Sequence, residues 1–317
     1  MQLLSIVVPA YNEGRGLRAF HLSLVKILRD LPGISFDILY CDDGSTDNTA
    51  QVIQDLAASD KRIKLVKLSR NFGKEIATTA GIHLADGDGI ITIDADGQQP
   101  VEMIPEFFRR WQAGSKVVVG VRTENQKEGL VKRYGAKLFY HFFNRLTGVK
   151  LVPNSTDFRL IDRVVQKDFV RMTEHNRITR GLIDWLGYER DYVTFRAKPR
   201  LHGTASYSFK KLSKLAVDSV ISLSISPLYV TAYIGAIILP LSILLGLLIL
   251  GDAVLGDPLH WRVTGSAYVM VLLLFLTGIL LVSQGIIGLY LSHIHAETQN
   301  RPLYIIDKSH SIGLHEN

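Results

Sequence analysis

The chain has 317 residues, of which 47% are hydrophobic, and its formal net charge is +6. This length accommodates one large domain with an appendage, and the excess of positive charge favours an anionic partner. A single cysteine, Cys41, excludes an internal disulfide and fits a reducing compartment for the soluble part. Pro9, Asn12 and Glu13 come too early for a signal peptide, so we expect this part to face the cytoplasm.

Alternating strands and helices are predicted for the first 121 residues. Short apolar runs, rich in β-branched residues, predict buried strands at Leu3–Val8, Phe36–Tyr40, Ile63–Leu68, Gly89–Ile93 and Val117–Val121. Helical spacing predicts helices at Leu17–Leu31, at Thr49–Ala58, from the Asn71–Lys74 turn to Leu84, and at Val101–Ala113. This alternation predicts an α/β fold with a mostly parallel sheet that helices cover on both faces.

Acidic residues follow three of these strands, namely Glu13, Asp42 with Asp43, and Asp94 with Asp96. Because the carboxyl ends of parallel strands share one edge of a sheet, we expect these acids to converge. Asp94 and Asp96 stand one residue apart on a turn, where they can share a hard cation such as Mg²⁺ or Mn²⁺. Such a cation would hold a diphosphate as a leaving group. The alternative is a solvated Asp-Gly turn.

Two phosphate-binding glycine motifs are absent from the sequence. No Gly-x-Gly-x-x-Gly follows the first strand, and no Gly-Lys-Ser/Thr loop occurs. Their absence argues against a dinucleotide-dependent oxidoreductase and against a P-loop enzyme. An acidic site without such a loop is more consistent with phosphate binding through a metal.

Two uncharged runs predict membrane-spanning helices near the C-terminus. Leu228–Leu250 and Val263–Ser292 each exceed the roughly 20 residues that a spanning helix needs. Tyr207–Ser224 precedes them with apolar residues at helical spacing and three lysines, which predicts an amphipathic helix on the membrane surface or against the soluble core. Basic residues outside the runs place both ends in the cytoplasm and the Gly251–Arg262 loop outside.

These segments divide the chain into four predicted parts. Residues 1–206 form the cytoplasmic catalytic domain, residues 207–226 the juxtamembrane segment, residues 227–293 two membrane helices with a short external loop, and residues 294–317 a cytoplasmic tail. The expected location is therefore the cytoplasmic (inner) membrane, crossed more than once.

The motifs that punctuate the chain resemble a known family. They are Val7–Glu13 (VVPAYNE), Asp42–Ser45 (DDGS), Asn71–Lys74 (NFGK), Asp94–Gln98 (DADGQ) and Thr156–Leu160 (TDFRL). Together they resemble family 2 glycosyltransferases with the GT-A (Rossmann-like) fold. An Arg-rich strand ending at Arg200 and the two apolar runs narrow the resemblance to polyisoprenyl-phosphate glycosyltransferases, such as bactoprenol glucosyl transferases and dolichol-phosphate mannose synthases. The resemblance covers residues 3 to about 300.

This resemblance implies a role for each matching residue. The nucleotide-sugar would be bound by Pro9, Tyr11, Glu13, Asp42, Asp94, Ala95, Arg122 and Arg200. A Mg²⁺ or Mn²⁺ ion would be bound by Asp94, Asp96 and Gln98, with Asp96 also counted as catalytic. Arginine suits the phosphate contacts because its guanidinium binds oxygens in pairs.

The acceptor side of the implied site depends on three further residues. Arg133 and Lys137 stand four apart on a predicted helix and would face the lipid phosphate, although a solvated basic face is the alternative. Asp157 would be the catalytic base or an orienting group near the acceptor. Its alternatives are a helix cap near Asp162 and a salt bridge with Arg159.

One position departs from the family pattern. Relatives usually carry a basic residue where this chain has Ser206, which puts one phosphate contact in doubt. Lys198, Lys210 or Lys211 could supply that contact instead.

The resemblance implies an inverting, metal-dependent hexosyltransferase. The donor expected is UDP-glucose, and the acceptor a polyisoprenyl phosphate of the undecaprenyl type. Other expected partners are membrane lipids and further copies of the chain, with no nucleic acid. Two alternatives stay open. A processive polysaccharide synthase normally carries Gln-x-x-Arg-Trp, which this chain lacks. A non-catalytic nucleotide-sugar-binding membrane protein would bind without turnover.

Overall fold

The computed structural model describes residues 2–123, 152, 154–175, 177–197 and 265–314, with single positions at 233, 237, 238, 240 and 244. The strands are β1 (Gln2–Ala10), β2 (Ile34–Asp42), β3 (Ile63–Lys67), β4 (Gly89–Thr92), β5 (Val117–Arg122), β6 (Ser155–Asp162) and β7 (Arg190–Phe195). The helices are α1 (Gly14–Arg29), α2 (Thr49–Ser59), α3 (Lys74–Leu84), α4 (Ile104–Gln112), α5 (Arg163–Val170), α6 (Thr179–Trp185) and α7 (Gly265–Thr298). A 3₁₀ turn, Val101–Met103, precedes α4.

The seven strands form one sheet in the order β3-β2-β1-β4-β6-β5-β7. All neighbours are parallel except β6, which runs antiparallel to both β4 and β5. The mostly parallel α/β sheet predicted from the sequence is confirmed, but no strand was predicted at β6. Because β6 is antiparallel, its first residues lie at the edge where β1, β2 and β4 end.

Both faces of the sheet are buried, which explains why the strands read as continuous apolar runs. Along β1, Ile6 and Val8 pack in a cluster with α1, α2 and α4, whereas Val7 packs in a second cluster with α3, α5 and α6. Burying both faces fixes the strand register, because a shift of one residue would exchange the two sets of side chains.

Helix α4 begins later than its apolar pattern indicates. The sequence predicted one helix over Val101–Ala113, whereas the structure has the 3₁₀ turn first and α4 from Ile104. Pro105 explains the start, since proline is favoured in the first helical turn, where its missing N–H has no helical partner.

The described residues fall into two compact units, one holding the sheet and the other holding α7. Helix α7 has 34 residues and includes Phe275–Ser292, a stretch with mean hydropathy 1.7 that is long and apolar enough to cross a membrane. It is the one such helix within the described ranges. The other predicted spanning run, Leu228–Leu250, lies almost wholly outside those ranges, as do the segments 207–224 and 251–262.

The residues that follow α7 return to the unit that holds the sheet. Residues 301–314 run antiparallel along β3, where the Leu65 N–H donates to the Ile312 carbonyl at 3.0 Å and the Ile312 N–H donates back at 2.9 Å. The Asp307 N–H donates to the Lys67 carbonyl at 2.8 Å. This tail, to which the sequence analysis assigned no role, satisfies backbone groups on an edge strand that would otherwise be exposed.

The glycine in the turn after β2 offers a test of how closely this turn packs against the loop at Arg70. Gly44 has φ of +65°, and a Cβ there would lie 2.5 Å from the carbonyl carbon of Arg70. We expect Gly44→Ala to lower the free energy of unfolding by about 3 kcal/mol, because a left-handed conformation and a backbone clash add together. Thermal or denaturant unfolding measures the change.

Gly33→Ala is the matched control. Gly33 has φ of +74°, but a Cβ there would meet nothing within 4 Å. The free energy of unfolding of this variant should fall by about 1 kcal/mol, because it has the unfavourable left-handed conformation but no backbone clash. Equal losses in the two variants would show that the contact with residue 70 is unimportant.

Candidate functional site

The turns after β1 and β2 are joined by Asn12. Asn12 has φ of +57°, a conformation that asparagine tolerates better than most residues. Its side-chain oxygen accepts the N–H groups of Thr46 at 2.9 Å and Asp47 at 3.3 Å. The Glu13 N–H donates to the Thr49 hydroxyl at 2.9 Å. The two strand ends are therefore held together by side-chain contacts to backbone.

Asp42 ends β2 and Asp43 follows it, and the two carboxylates lie in different environments. Asp43 accepts the Phe72 N–H at 2.7 Å and the Gly73 N–H at 2.9 Å, and so holds the loop that leads into α3. Asp42 is fully buried and accepts the Ser45 N–H at 3.0 Å, while its second carboxylate oxygen has no hydrogen-bond partner among the described residues. Asp43 therefore holds the adjacent loop in place.

Lys74, the first residue of α3, lies between two carboxylates. Its Nζ is 2.8 Å from Oδ1 of Asp94 and 2.9 Å from Oδ2 of Asp157. Burial alone would lower the pKa of Lys74, but Asp157 and Asp94 outweigh it and raise that pKa. Gln99 fixes Asp94 from the other side, donating to its carboxylate at 2.8 Å and accepting its N–H at 2.9 Å.

Asp157 reaches this cluster because β6 is antiparallel to β4. The Thr92 hydroxyl at the end of β4 donates to the Asp157 carbonyl. Burial alone would raise the pKa of Asp157, but the charge of Lys74, followed by Arg180, outweighs it and lowers that pKa to about 2. Asp157 is therefore an ionised carboxylate at neutral pH.

Neither alternative role considered for Asp157 is its role in this structure. Arg159 pairs with Asp184, at 2.8 Å, and not with Asp157. The cap of α5 is Asp162, whose carboxylate accepts the Val164 N–H at 3.0 Å.

A cavity of about 190 Å³ lies at this edge of the sheet. It is lined by Asp94, Gln98, Gln99, Arg122, Ser155, Thr156, Asp157, Arg180, Phe195 and Ala197. Four residues predicted from the sequence therefore come together here, namely Asp94, Gln98, Arg122 and Asp157. Phe195 and Ala197 add an apolar wall at the end of β7.

Other predicted residues lie outside the cavity lining. Pro9 and Asp42 are buried at the ends of β1 and β2, Ala95 is buried, and Tyr11 is 45% exposed on the turn after β1. Glu13, at the start of α1, is half-buried. Arg133, Lys137 and Arg200 lie outside the described residues, as do Lys198, Ser206, Lys210 and Lys211.

The predicted metal ligands supply the oxygen donors that Mg²⁺ and Mn²⁺ prefer. Asp94 and Gln98 line the cavity, and Asp96 accepts the Gln98 N–H at 3.0 Å, which keeps the turn compact. The donor types therefore fit a hard cation, but both carboxylate oxygens of Asp94 contact Lys74 or Gln99, so a cation bound there would displace one of these contacts. Within the described ranges, no group of three or more His, Cys, Asp or Glu residues could hold a metal ion. Any such ion would need oxygens from a ligand or water as well.

Sequence reasoning missed Lys74, Gln99 and Arg180. Lys74 belongs to the Asn71–Lys74 motif, but the sequence analysis assigned it no role. Its position between two carboxylates shows that it is the cation that pairs with both. Arg180 belongs to a short helix, and nothing in its local sequence connects it with Asp157.

Comparison with known proteins places the chain among glycosyltransferases. The family model described as "Glycosyl transferase family 2" matches residues 5–169. The chain is 41% identical to an uncharacterized glycosyltransferase of Synechocystis sp. over 304 residues, 96% of this chain and 94% of the relative. It is 36% identical to the bactoprenol glucosyl transferase of Shigella phage SfII over 308 residues, 97% of this chain and 98% of the relative.

Two solved structures share the fold. Mannosyl-3-phosphoglycerate synthase from Rubrobacter xylanophilus has a TM-score of 0.50 and 19% identity, covering 69% of this chain and 72% of its own. Glucosyl-3-phosphoglycerate synthase from Mycobacterium tuberculosis, solved with Mn²⁺, UDP and phosphoglyceric acid, has a TM-score of 0.51 and 17% identity, covering 70% of this chain and 77% of its own. These likenesses support the GT-A fold expected from the sequence.

Replacing Lys74 tests the central ion cluster. Lys74→Met leaves Asp94 and Asp157 without the cation between them, so we expect a loss of about 1–3 kcal/mol in the free energy of unfolding, between the values for exposed and buried pairs. We also expect weaker binding of inorganic pyrophosphate, because the site becomes more negative. Chemical unfolding and titration calorimetry measure the two effects.

Lys64→Met is the matched control, since Lys64 also bridges two carboxylates, Asp37 at 2.9 Å and Asp86 at 3.2 Å. It should lose stability without changing pyrophosphate binding. Equal weakening of binding in both variants would contradict a specific role for Lys74.

Proposed function

The chain belongs to glycosyl transferase family 2, and we propose that it transfers glucose from UDP-glucose to a polyisoprenyl phosphate. The acceptor is of the undecaprenyl type, the reaction takes place at the cytoplasmic face of the membrane, and the product is a lipid-linked monosaccharide for modification of cell-envelope glycans. The observation that carries the proposal is the convergence of Asp157 with Asp94, Gln98 and Arg122 in one cavity.

The choice of substrates is supported by the relatives. A relative that aligns along nearly the whole chain is named a bactoprenol glucosyl transferase, so the likeness extends beyond the donor-binding half. A structural neighbour that shares the fold was solved with UDP and Mn²⁺. The UDP in the neighbouring structure agrees with a nucleotide-sugar donor, and the name of the relative agrees with a lipid acceptor.

The reaction needs a nucleophile, a leaving group and little proton transfer. An oxygen of the acceptor phosphate attacks the anomeric carbon of glucose, the bond from that carbon to the diphosphate breaks, and UDP leaves with the electron pair. Attack opposite the leaving group inverts the anomeric configuration. A phosphate monoester is largely dianionic at neutral pH, since its second pKa is about 6, so a strong base is unnecessary.

Asp157 then positions groups in the cavity and does not need to take a proton. It is held by Lys74 as an ionised carboxylate, and ionised carboxylates accept hydrogen bonds from sugar hydroxyls. Asp157 would orient the acceptor or balance the charge of nearby arginines, and holding two reactants in the right geometry lowers the barrier to reaction.

Asp94, Asp96 and Gln98 would hold a Mg²⁺ or Mn²⁺ ion. When bound, such an ion stabilises the negative charge of the departing diphosphate. Arg122 lines the same cavity and would contact the diphosphate from the end of β5. Arg133, Lys137 and Arg200 are proposed for the remaining phosphate contacts, as the resemblance implies.

The lipid acceptor requires that the site work close to a bilayer. Each CH₂ group withdrawn from an apolar environment costs about 0.8 kcal/mol, so the polyisoprenyl chain stays in the membrane while its phosphate reacts. Helix α7 is long and apolar enough to span the membrane and is proposed as one crossing, with Leu228–Leu250 as a second. The juxtamembrane segment 207–226 would bring its lysines to anionic headgroups.

A transfer assay tests the proposal. Membranes containing the protein are incubated with a panel of labelled nucleotide-sugars, and the lipids are extracted. We expect label from UDP-glucose in the lipid fraction. Asp96→Asn should lower transfer roughly 10- to 100-fold or more and weaken Mn²⁺ binding in calorimetry, because a carboxylate ligand is lost.

Asp55→Asn is the control, since Asp55 lies in an exposed salt bridge with Arg18 and lines no part of the cavity. It should keep wild-type transfer and Mn²⁺ binding. Label in a polymer would favour a processive synthase, and nucleotide-sugar binding with no transfer from any donor would favour a non-catalytic protein. Wild-type transfer by Asp96→Asn would show that Asp96 is not a ligand of a catalytic metal ion.

A further inference from the structure

We propose that Arg180 binds a phosphate group of one of the two substrates, in the cavity that Arg122 also lines. This inference rests on the proposed function, because it assigns a ligand to the cavity described above. Arg180 lines the cavity together with Arg122 and Asp157. Its guanidinium can hold two phosphate oxygens at once, which a lysine cannot do with the same geometry.

The position of Arg180 is fixed at the start of α6 by Glu75. Oε2 of Glu75 accepts the Thr179 N–H at 2.8 Å, and the Thr179 hydroxyl donates to the Glu75 carbonyl at 3.4 Å. Glu75 is the neighbour of Lys74 in α3. The same helix that supplies the central cation therefore also holds the residue before Arg180.

A second set of contacts, made by a residue of β6, holds α6 in place. Arg159 is 2% exposed, and its Nη1 donates to the Asp184 carboxylate at 2.8 Å and to the Arg180 carbonyl at 3.3 Å. Its Nε donates to the Thr156 carbonyl at 3.0 Å. Arg159 stands two residues after Asp157, so one buried guanidinium connects the strand that carries Asp157 with the backbone of Arg180.

Two arginines offset the acidic residues around the cavity. Asp94, Asp96 and Asp157 bring three carboxylates to this edge of the sheet, and Lys74, which pairs with Asp94 and Asp157, brings one cation. Arg122 and Arg180 add two more positive charges along the cavity wall. Together with Lys74 they match these three carboxylates in number, so the two arginines are the groups on the cavity wall that attract phosphate, the anion that both proposed substrates carry.

The test compares Arg180→Gln and Arg180→Lys with Arg171→Gln in the full-length protein in bilayers. Arg171 is a matched control because its side chain is 83% exposed and it lines no part of the cavity. The dissociation constant for UDP is measured by calorimetry, and KM for undecaprenyl phosphate is measured in the transfer assay. Circular dichroism verifies that each variant is folded.

We expect Arg180→Gln to raise one of these two constants at least tenfold and Arg180→Lys to raise the same constant at least threefold, with Arg171→Gln within twofold of the wild type. A change in the UDP constant assigns Arg180 to the donor diphosphate. A change in KM alone assigns it to the acceptor phosphate. If Arg180→Gln does not fold, the test depends on Arg180→Lys. Wild-type values of both constants in Arg180→Lys would then overturn the inference.

The failure of the inference differs from the failure of the proposed function. If the wild type transfers glucose and both Arg180 variants keep both constants, Arg180 binds no phosphate, while the proposed function stands. If the wild type transfers nothing but Arg180→Gln loses UDP affinity, the phosphate site stands without that function.

Discussion

The ion cluster formed by Lys74, Asp94 and Asp157 is the interaction on which the candidate site depends. The three residues come from the start of α3, the turn after β4 and the beginning of β6. Two carboxylates in a partly buried cavity repel each other, and the cation between them offsets that repulsion. The lysine therefore sets both the geometry and the net charge that a substrate meets.

The antiparallel strand β6 makes this cluster possible. In a sheet of parallel strands only, residues 155–157 would lie at the end opposite to Asp94. Reversing one strand brings its first residues to the edge where β1, β2 and β4 end, and the pairing of Thr92 with Arg159 fixes the register. A carboxylate from a late part of the sequence thereby joins acids from the first hundred residues.

Buried polar contacts around the cluster hold its loops in place. Asp43 holds the loop before Lys74, Glu75 holds the start of α6, and Arg159 joins α6 to β6. The C-terminal tail supports the same region, since the Ser69 N–H donates to the Ile305 carbonyl at 2.9 Å just ahead of that loop. Such supporting contacts keep charged groups in one arrangement before the substrate binds, which electrostatic stabilisation requires.

The sequence by itself determined the alternation of strands and helices, the acids at the strand ends and the family to which the chain belongs. These features depend on local periodicity and on short motifs such as Asp94-Ala95-Asp96, so they can be read without knowing any contact. Tertiary structure alone decided the placement of β6, the partner of Asp157 and the position of Arg180 beside it. Those depend on contacts between residues 21 to 83 positions apart, and no local pattern specifies which distant strand or side chain will become the neighbour.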